Sequence, residues 1–114
     1  MCRFVLIEEV IMQVILQVDF PYQGPWGEEM TQAMDALSTS INQEPGFIWK
    51  IWTENKETQK AGGIYLFASV SDAQAYLKKH SARLKSFGVP EVRGEIFAIN
   101  QTLSQQNQAL FLAK

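Results

Sequence analysis

Residues 40–67 read SINQEPGFIWKIWTENKETQKAGGIYLF, and this stretch decides the fold. Its Pro-Gly pair predicts a reversal of the chain after a helix, because proline removes a helical donor and glycine permits the turn. Residues 47–53 are rich in aromatic and β-branched side chains, and residues 62–68 follow after a polar loop. Both segments predict strands, and together they predict an antiparallel hairpin.

Before the hairpin, the sequence changes from strand periodicity to helix periodicity. From Gln13 apolar and polar side chains alternate, which predicts a strand whose inward face carries Val14, Leu16, Val18 and Phe20. From Trp26 the apolar residues recur at helical spacing, which predicts a helix that ends at Asn42. Residues 1–11 precede the strong alternation and are expected to form an extension of the domain.

After the hairpin, the pattern predicts a second helix, a fourth strand and a tail. Ser71 is the expected N-cap of the helix, whose apolar stripe consists of Ala73, Tyr76, Leu77, His80 and Leu84. Residues 92–99 predict the fourth strand. Residues 101–114 are rich in glutamine and asparagine with a late apolar cluster, and they predict a short tail helix that docks on another surface.

The order of the elements is β-α-β-β-α-β, which predicts an α+β, ferredoxin-like domain over residues 12–100. In this sandwich both helices cover one face of a four-stranded antiparallel sheet. The open face would mix charged and apolar side chains, namely Gln17, Asp19, Arg93, Glu95, Ile15 and Phe97. A second copy could cover the apolar part and pair the charges, so we expect a homodimer through the open sheet face.

The composition of the chain argues against several classes of partner. A chain of 114 residues with a net charge of −2 and no basic stripe indicates one domain and no nucleic-acid partner. No apolar run is long enough to span a membrane, and the single cysteine, Cys2, with no recognisable secretory signal favours the cytoplasm. No cluster of metal-ligand spacing and no dinucleotide fingerprint occurs, so we expect no cofactor.

Several long segments of the chain resemble one protein family. The segments SINQEPGFIWKIWTE, AGGIYLF, AYLKKHSARL and LSQQNQA are similar to the YdhR family of monooxygenases, small bacterial proteins of the dimeric α+β barrel superfamily. The resemblance covers the chain from Met12 onward. It implies a ferredoxin-like protomer, a dimer built through the open sheet faces, a pocket between sheet and helices, and oxidation of phenolic or polyketide substrates without a bound cofactor.

Three residues are candidates for catalysis. His80 is the only histidine, and its ordinary pKa of about 6.5 suits proton abstraction near neutral pH. Arg83, one turn later, could stabilise a phenolate or enolate. Tyr65 brings a hydroxyl that would seek a partner if buried and could hold a substrate oxygen. The structural alternatives are a core-edge histidine bonded to a backbone carbonyl and an exposed helical arginine.

Four residues are candidates for substrate binding: Trp49, Trp26, Asn42 and Tyr76. Trp49 and Trp52 lie three apart on one strand and therefore point to opposite faces. Trp49 shares its parity with Phe47, so we expect Trp49 to face the helices and share a cavity with His80. Trp52 is then expected to face the dimer side. Core packing is the structural alternative for both indoles.

Two functions follow from these residues. The first is a cofactor-independent monooxygenase that acts on a small, flat phenol or enol, with His80 removing the substrate proton while Arg83 and Tyr65 stabilise the anion. Trp26 or Trp49 would form the wall on which the substrate stacks. The alternative is a non-enzymatic homodimer that binds small aromatic ligands.

Overall fold

The computed structural model describes residues 12–109 of the chain. The elements follow in the order β1 (Val14–Pro21), α1 (Gly27–Ala33), α2 (Asp35–Ile41), β2 (Phe47–Asn55), β3 (Lys60–Phe67), α3 (Val70–Ser86), β4 (Arg93–Ala98) and α4 (Gln101–Gln106). The predicted extension, residues 1–11, and the apolar cluster of the tail, residues 110–112, lie outside the described residues.

The four strands form one antiparallel sheet in the order β2-β3-β1-β4. The two strands that flank the first helical segment, β1 and β2, are therefore not neighbours, and β3 lies between them. This arrangement confirms the predicted ferredoxin-like α+β fold. Among the described residues, no helix is long and apolar enough to cross a membrane.

The core lies between the helix-facing side of the sheet and α3. Val14, Leu16 and Val18 are at most 3% exposed, which confirms the predicted inward face of β1. They pack with Phe67 of β3 and with Ala73 of α3 in one cluster of buried side chains. Burying this apolar surface is the main force that holds α3 on the sheet.

The helices differ from the prediction in two details. The predicted first helix is divided into α1 and α2 at Met34, whose backbone dihedrals (φ −100°, ψ 6°) depart from helical values. The N-cap of α3 is Ser69 and not Ser71: the Ser69 hydroxyl accepts a hydrogen bond from the backbone N–H of Asp72. This is the N-cap to N3 geometry that serine favours.

A β-bulge at the start of β2 decides which side chains face the helices. Phe47 pairs with Phe67, but the neighbouring residue of β3, Leu66, pairs with Trp49, so Ile48 is the extra residue. An extra residue reverses the alternation of every side chain that follows. Lys50 and Trp52, paired with Tyr65 and Gly63, consequently face the helices. The prediction that Trp49 faces the helices and Trp52 the dimer side is wrong for this reason.

The open face of the sheet carries the side chains expected there. Ile15 pairs with Phe97 and Gln17 with Glu95, which places them on one face with Asp19 and Arg93. Arg93 Nη2 donates to Asp19 Oδ2 at 2.8 Å in an exposed ion pair. On the same face Ile51 is 52% exposed and Phe97 is 41% exposed. The open face is therefore both apolar and charged.

Candidate functional site

A cavity of about 650 Å³ lies between the helix-facing side of the sheet and the helices. Three parts of the chain close it: side chains of α1 and α2, residues 20–25 at the end of β1 and in the loop that follows, and residues 87–90 after α3. Its walls are largely apolar and aromatic, and no aspartate or glutamate of the described chain lines it. A flat organic molecule of one to three rings fits such a volume.

Two adjacent glycines shape the sheet floor of the cavity. A Cβ atom added to Gly63 would lie 2.5 Å from Cε of Lys50, so the missing side chain leaves room for the lysine to lie across β3. A Cβ atom added to Gly62 would collide with the backbone of Val18 on β1. The glycine pair thus permits close approach of neighbouring groups on both sides of β3.

Lys50 brings a positive charge into this aromatic floor. Its Nζ atom lies 3.3 Å from the ring centroid of Trp52 and 4.7 Å from that of Tyr65. Within residues 12–109 no carboxylate forms an ion pair with it. Burial and, secondarily, the charge of Arg83 lower the pKa of Lys50 to about 7, although the indole face favours the charged form. A substantial fraction of the amine is therefore neutral at physiological pH.

Tyr65 and Tyr76 form a buried pair behind the lysine. Their hydroxyl oxygens are 3.0 Å apart, so the buried Tyr65 hydroxyl has the partner that it was expected to need. The ring of Tyr76 stacks on His80, with centroids 5.0 Å apart and planes 20° apart. Burial raises the pKa of both hydroxyls, that of Tyr76 to about 12, so both are neutral donors near pH 7.

His80 is bound by Arg83 through one ring nitrogen. Arg83 Nη2 lies 2.9 Å and Nε 3.3 Å from Nδ1 of His80. Because a guanidinium can only donate, Nδ1 accepts, and the neutral ring carries its proton on Nε2. Burial, followed by the charges of Lys50 and Arg83, lowers the pKa of His80 to about 3. His80, which is 3% exposed, is thus a neutral hydrogen-bond donor rather than a charged group.

The structure brings the three predicted catalytic residues together. Tyr65 and His80 line the cavity, and Arg83 reaches it through its hydrogen bonds to His80. Tyr76 lies behind them, in contact with both Tyr65 and His80 but not in the lining. Arg83 is half-buried and bonded to His80, not an exposed helical arginine.

The other predicted binding residues lie away from the cavity lining. Trp49 and Asn42 line a smaller hollow of about 260 Å³ that meets the cavity at Lys50 and Trp52. The ring of Trp26 packs edge-on against Tyr22, a lining residue, with centroids 5.1 Å apart. The expectation that Trp49 shares the cavity with His80 is therefore wrong, because the bulge places Trp52 there instead.

Lys50 and Trp52 line the cavity but were not predicted from the sequence as site residues. Lysine between two apolar residues of a strand is usually solvent-facing, and the pattern gave no sign of the bulge. The one available signal was Gly63, since a glycine inside a strand indicates a neighbouring group that needs its space.

The fold and the cavity together define a class: ferredoxin-like α+β proteins that enclose a small-molecule pocket between the sheet and its helices. A family model described as "Putative mono-oxygenase ydhR" matches residues 15–110. The match spans most of the chain, and the chain belongs to this family. A comparison with curated proteins finds no match.

Proposed function

We propose that this protein is a monooxygenase that oxidises a small, flat phenol or enol in the cavity and needs no bound cofactor. The observation that carries the proposal is the polar cluster on the cavity floor. Lys50, Tyr65 and His80 present an amine, a hydroxyl and an imidazole to an otherwise apolar space. These groups can move a proton and stabilise an anion, while the apolar walls keep water from it.

Lys50 is the group best placed to take the substrate proton. His80 is predicted from the sequence to have this role, but its Nδ1 lone pair is used by Arg83 and its other nitrogen carries a proton. A neutral amine with a pKa of about 7 is a stronger base than an imidazole with a pKa of about 3. His80 instead donates its Nε2 proton to the substrate oxygen.

The anion formed in this way is held by charge and by hydrogen bonds. Proton transfer leaves Lys50 as an ammonium, which pairs with the new phenolate or enolate, and Arg83 adds a second positive charge through His80. Trp52 supplies the indole face on which the substrate ring stacks. In this proposal Trp26, Trp49, Asn42 and Tyr76 support the site from outside the cavity lining.

The oxygen chemistry then needs only the anion and O₂. One electron passes from the carbanionic carbon to O₂, and the resulting radical pair combines into a carbon-bound peroxide. The peroxide takes a proton, and the peroxide-bearing carbon, which still holds one hydrogen, loses water, so that this carbon becomes the carbonyl of a quinone or ketone and the second oxygen atom leaves as water. The protein's task is to form the anion and to keep bulk water from the intermediates.

A homodimer through the open sheet face belongs to the same proposal. Ile51 and Phe97 remain more than two-fifths exposed in the protomer, and the Asp19–Arg93 ion pair lies beside them. A second copy related by a two-fold axis would bury these apolar side chains and bring its own ion pair opposite the first.

The test is oxygen uptake with a panel of hydroquinones and polycyclic phenols, run beside quenching of tryptophan fluorescence. We expect one or more compounds to quench and to consume oxygen. Lys50→Met should lower the rate about 10²-fold or more, the usual loss for a general base. Lys78→Met, at an exposed position of α3, should leave the rate unchanged.

Quenching without oxygen uptake for every compound would favour the non-enzymatic aromatic binder. Full activity of Lys50→Met would show that the amine is not the base. In that case His80→Ala would decide whether the imidazole has the role that the sequence suggested.

A further inference from the structure

We propose that Lys50 forms a reversible imine with flat aromatic aldehydes and ketones that enter the cavity. This goes beyond the oxygenase reaction, because it uses the amine as a nucleophile and requires neither O₂ nor an anionic substrate. The observation behind it is what surrounds Nζ of Lys50. The amine lies against the rings of Trp52 and Tyr65 and faces the cavity. Arg83 and His80 are its nitrogen-bearing neighbours.

The contrast with Lys79 shows how unusual these surroundings are. Lys79 Nζ lies 2.9 Å from Oε2 of Glu44, and its side chain is 61% exposed. Its amine is therefore exposed to solvent and paired with a carboxylate. Lys50 has a partly buried side chain and no ion-pair partner in the described part of the chain, and its nearest neighbours are the rings of Trp52 and Tyr65.

Charges around the cavity favour the neutral amine. Arg83 and His80 face Lys50 from α3, α1 and α2 contribute only apolar side chains to the lining, and no acidic side chain of residues 12–109 lines the cavity. A lysine in an apolar pocket next to another cation is the arrangement that activates amines for imine formation. The lowered pKa of Lys50, about 7 against an ordinary 10.5, agrees with this geometry.

The reaction balances with groups that the cavity holds. Nζ of Lys50 attacks the carbonyl carbon, and the carbonyl oxygen takes a proton, for which Nε2–H of His80 is the available donor. In the tetrahedral carbinolamine one nitrogen proton returns to the imidazole and the other passes to the hydroxyl group, so that the C–O bond breaks, water leaves and the C=N bond forms. Amine and carbonyl give imine and water, and hydrolysis restores the free lysine.

The cavity also restricts the class of carbonyl compound. Its apolar walls and the face of Trp52 select a planar aromatic body, and a volume of about 650 Å³ accepts a bicyclic ring with its carbonyl substituent. Small aliphatic aldehydes would lack the stacking contact and should prefer Lys50 over surface lysines less strongly than aromatic aldehydes do.

The experiment is reductive trapping without oxygen. The full chain is incubated at pH 7 with 2-naphthaldehyde and sodium cyanoborohydride under argon, and the adducts are located by peptide mass spectrometry. We expect Lys50 to be modified at least about 10-fold faster than the exposed lysines, since more of its amine is neutral and the aromatic ring is held beside it. Propionaldehyde, the matched aliphatic probe, should show a smaller preference, because it lacks the stacking contact.

Two controls keep the result interpretable. Lys50→Arg should lose the rapid adduct, whereas Lys78→Arg should keep it. If Lys50→Arg does not fold, a competition experiment with the unsubstituted protein replaces it. There 2-naphthol should slow the modification of Lys50 and leave that of Lys78 unchanged.

Equal modification of all lysines, or no protection by 2-naphthol, would overturn the imine proposal. Either result would leave the oxygenase proposal standing, because oxygen uptake is measured independently. Rapid trapping at Lys50 in a protein that consumes no oxygen would support the imine site alone.

Discussion

The helix-facing side of the sheet and its open side are built from the same four strands, yet they differ in what a side chain meets there. On β2, Trp52 faces the cavity beside Lys50, while Trp49, three residues earlier, lies outside that cavity and lines the smaller hollow with Asn42. The helix-facing side encloses Lys50 among aromatic rings, with no ion-pair partner within residues 12–109. The open side exposes Ile51 and carries the paired charges of Asp19 and Arg93.

One backbone irregularity, the β-bulge at Ile48, accounts for this difference between the two sides of the sheet. Without the extra residue Ile48, Trp49 and Ile51 would share the side of Phe47, and Lys50 would point away from the helices. The bulge therefore moves the lysine from a solvated position to a desolvated one, where its chemistry changes. The following predictions test whether the two sides have the separate roles that this contrast suggests.

The largest expected effect concerns the open side. Ile51→Asp should weaken the dimer about 10²-fold or more, because the two-fold axis places two buried carboxylates in one interface. Size-exclusion chromatography with light scattering measures the change. Val70→Asp, at a site on α3 that is 41% exposed, is the matched control and should leave the dimer intact. An unsubstituted protein that is monomeric at micromolar concentration would contradict the proposed interface.

The two floor glycines should respond differently to an added methyl group. Gly62→Ala forces a collision with the backbone of Val18, which cannot move without disturbing β1, and should cost about 3 kcal/mol of unfolding free energy. Gly63→Ala meets the flexible end of Lys50 and should cost about 1 kcal/mol while displacing the amine. Urea denaturation measures both. Equal losses of unfolding free energy in the two variants would mean that Gly62 is not packed against the backbone of Val18.

The two tryptophans of β2 offer the most direct test of which side chains of this strand face the cavity. Trp52→Phe should weaken binding of 2-naphthol about 3- to 5-fold, because phenylalanine keeps only part of an aromatic stacking contact that contributes about 1 kcal/mol. Trp49→Phe should change binding less than twofold. Fluorescence titration measures both affinities. A larger loss for Trp49→Phe would restore the assignment first made from the sequence.

The smallest expected effect is a decrease in the free energy of unfolding at acid pH. The pKa of His80 is lower in the folded chain, about 3, than the ordinary 6.5, so the unfolded chain binds the extra proton between these values. Stability should therefore fall as the pH drops below about 6.5, by about 1 kcal/mol at pH 5.5.

Urea denaturation at pH 7 and pH 5.5 measures this loss, and His80→Asn serves as the comparison. The substituted protein should lose less stability between the two pH values than the unsubstituted one. Lys50 contributes less than His80 in this window, since its pKa shift, from 10.5 to about 7, acts mainly above pH 7, and its contribution is present in both proteins. An equal loss in both proteins would mean that His80 is not buried as a neutral ring.

Much of the fold and part of the site could be predicted from the sequence. The alternation of β1 placed Val14, Leu16 and Val18 inward, and the helical spacing of α3 placed His80 toward the sheet. These predictions succeeded because local periodicity is fixed by backbone geometry alone. The break at Met34 and the shift of the N-cap to Ser69 were missed, because neither changes the apolar spacing of its helix.

The parity of β2 could not be predicted in the same way. The segment from Phe47 to Trp52 is apolar at nearly every position, so either set of alternating residues could form a buried face. Only the pairing with β3 decides between them, since Phe67 and Tyr65 must meet side chains on the covered side. A strand with two apolar faces specifies its register weakly by itself.

The sequence by itself determined the order of the elements, the antiparallel hairpin and the one histidine on the inner stripe of α3, because these follow from turns and periodicities within short segments. The tertiary structure decided which tryptophan faces the cavity and that Lys50 lies there with Arg83 and His80. Those facts depend on contacts between β2, β3 and α3, which are distant in the chain, and on the desolvation that appears only when they pack.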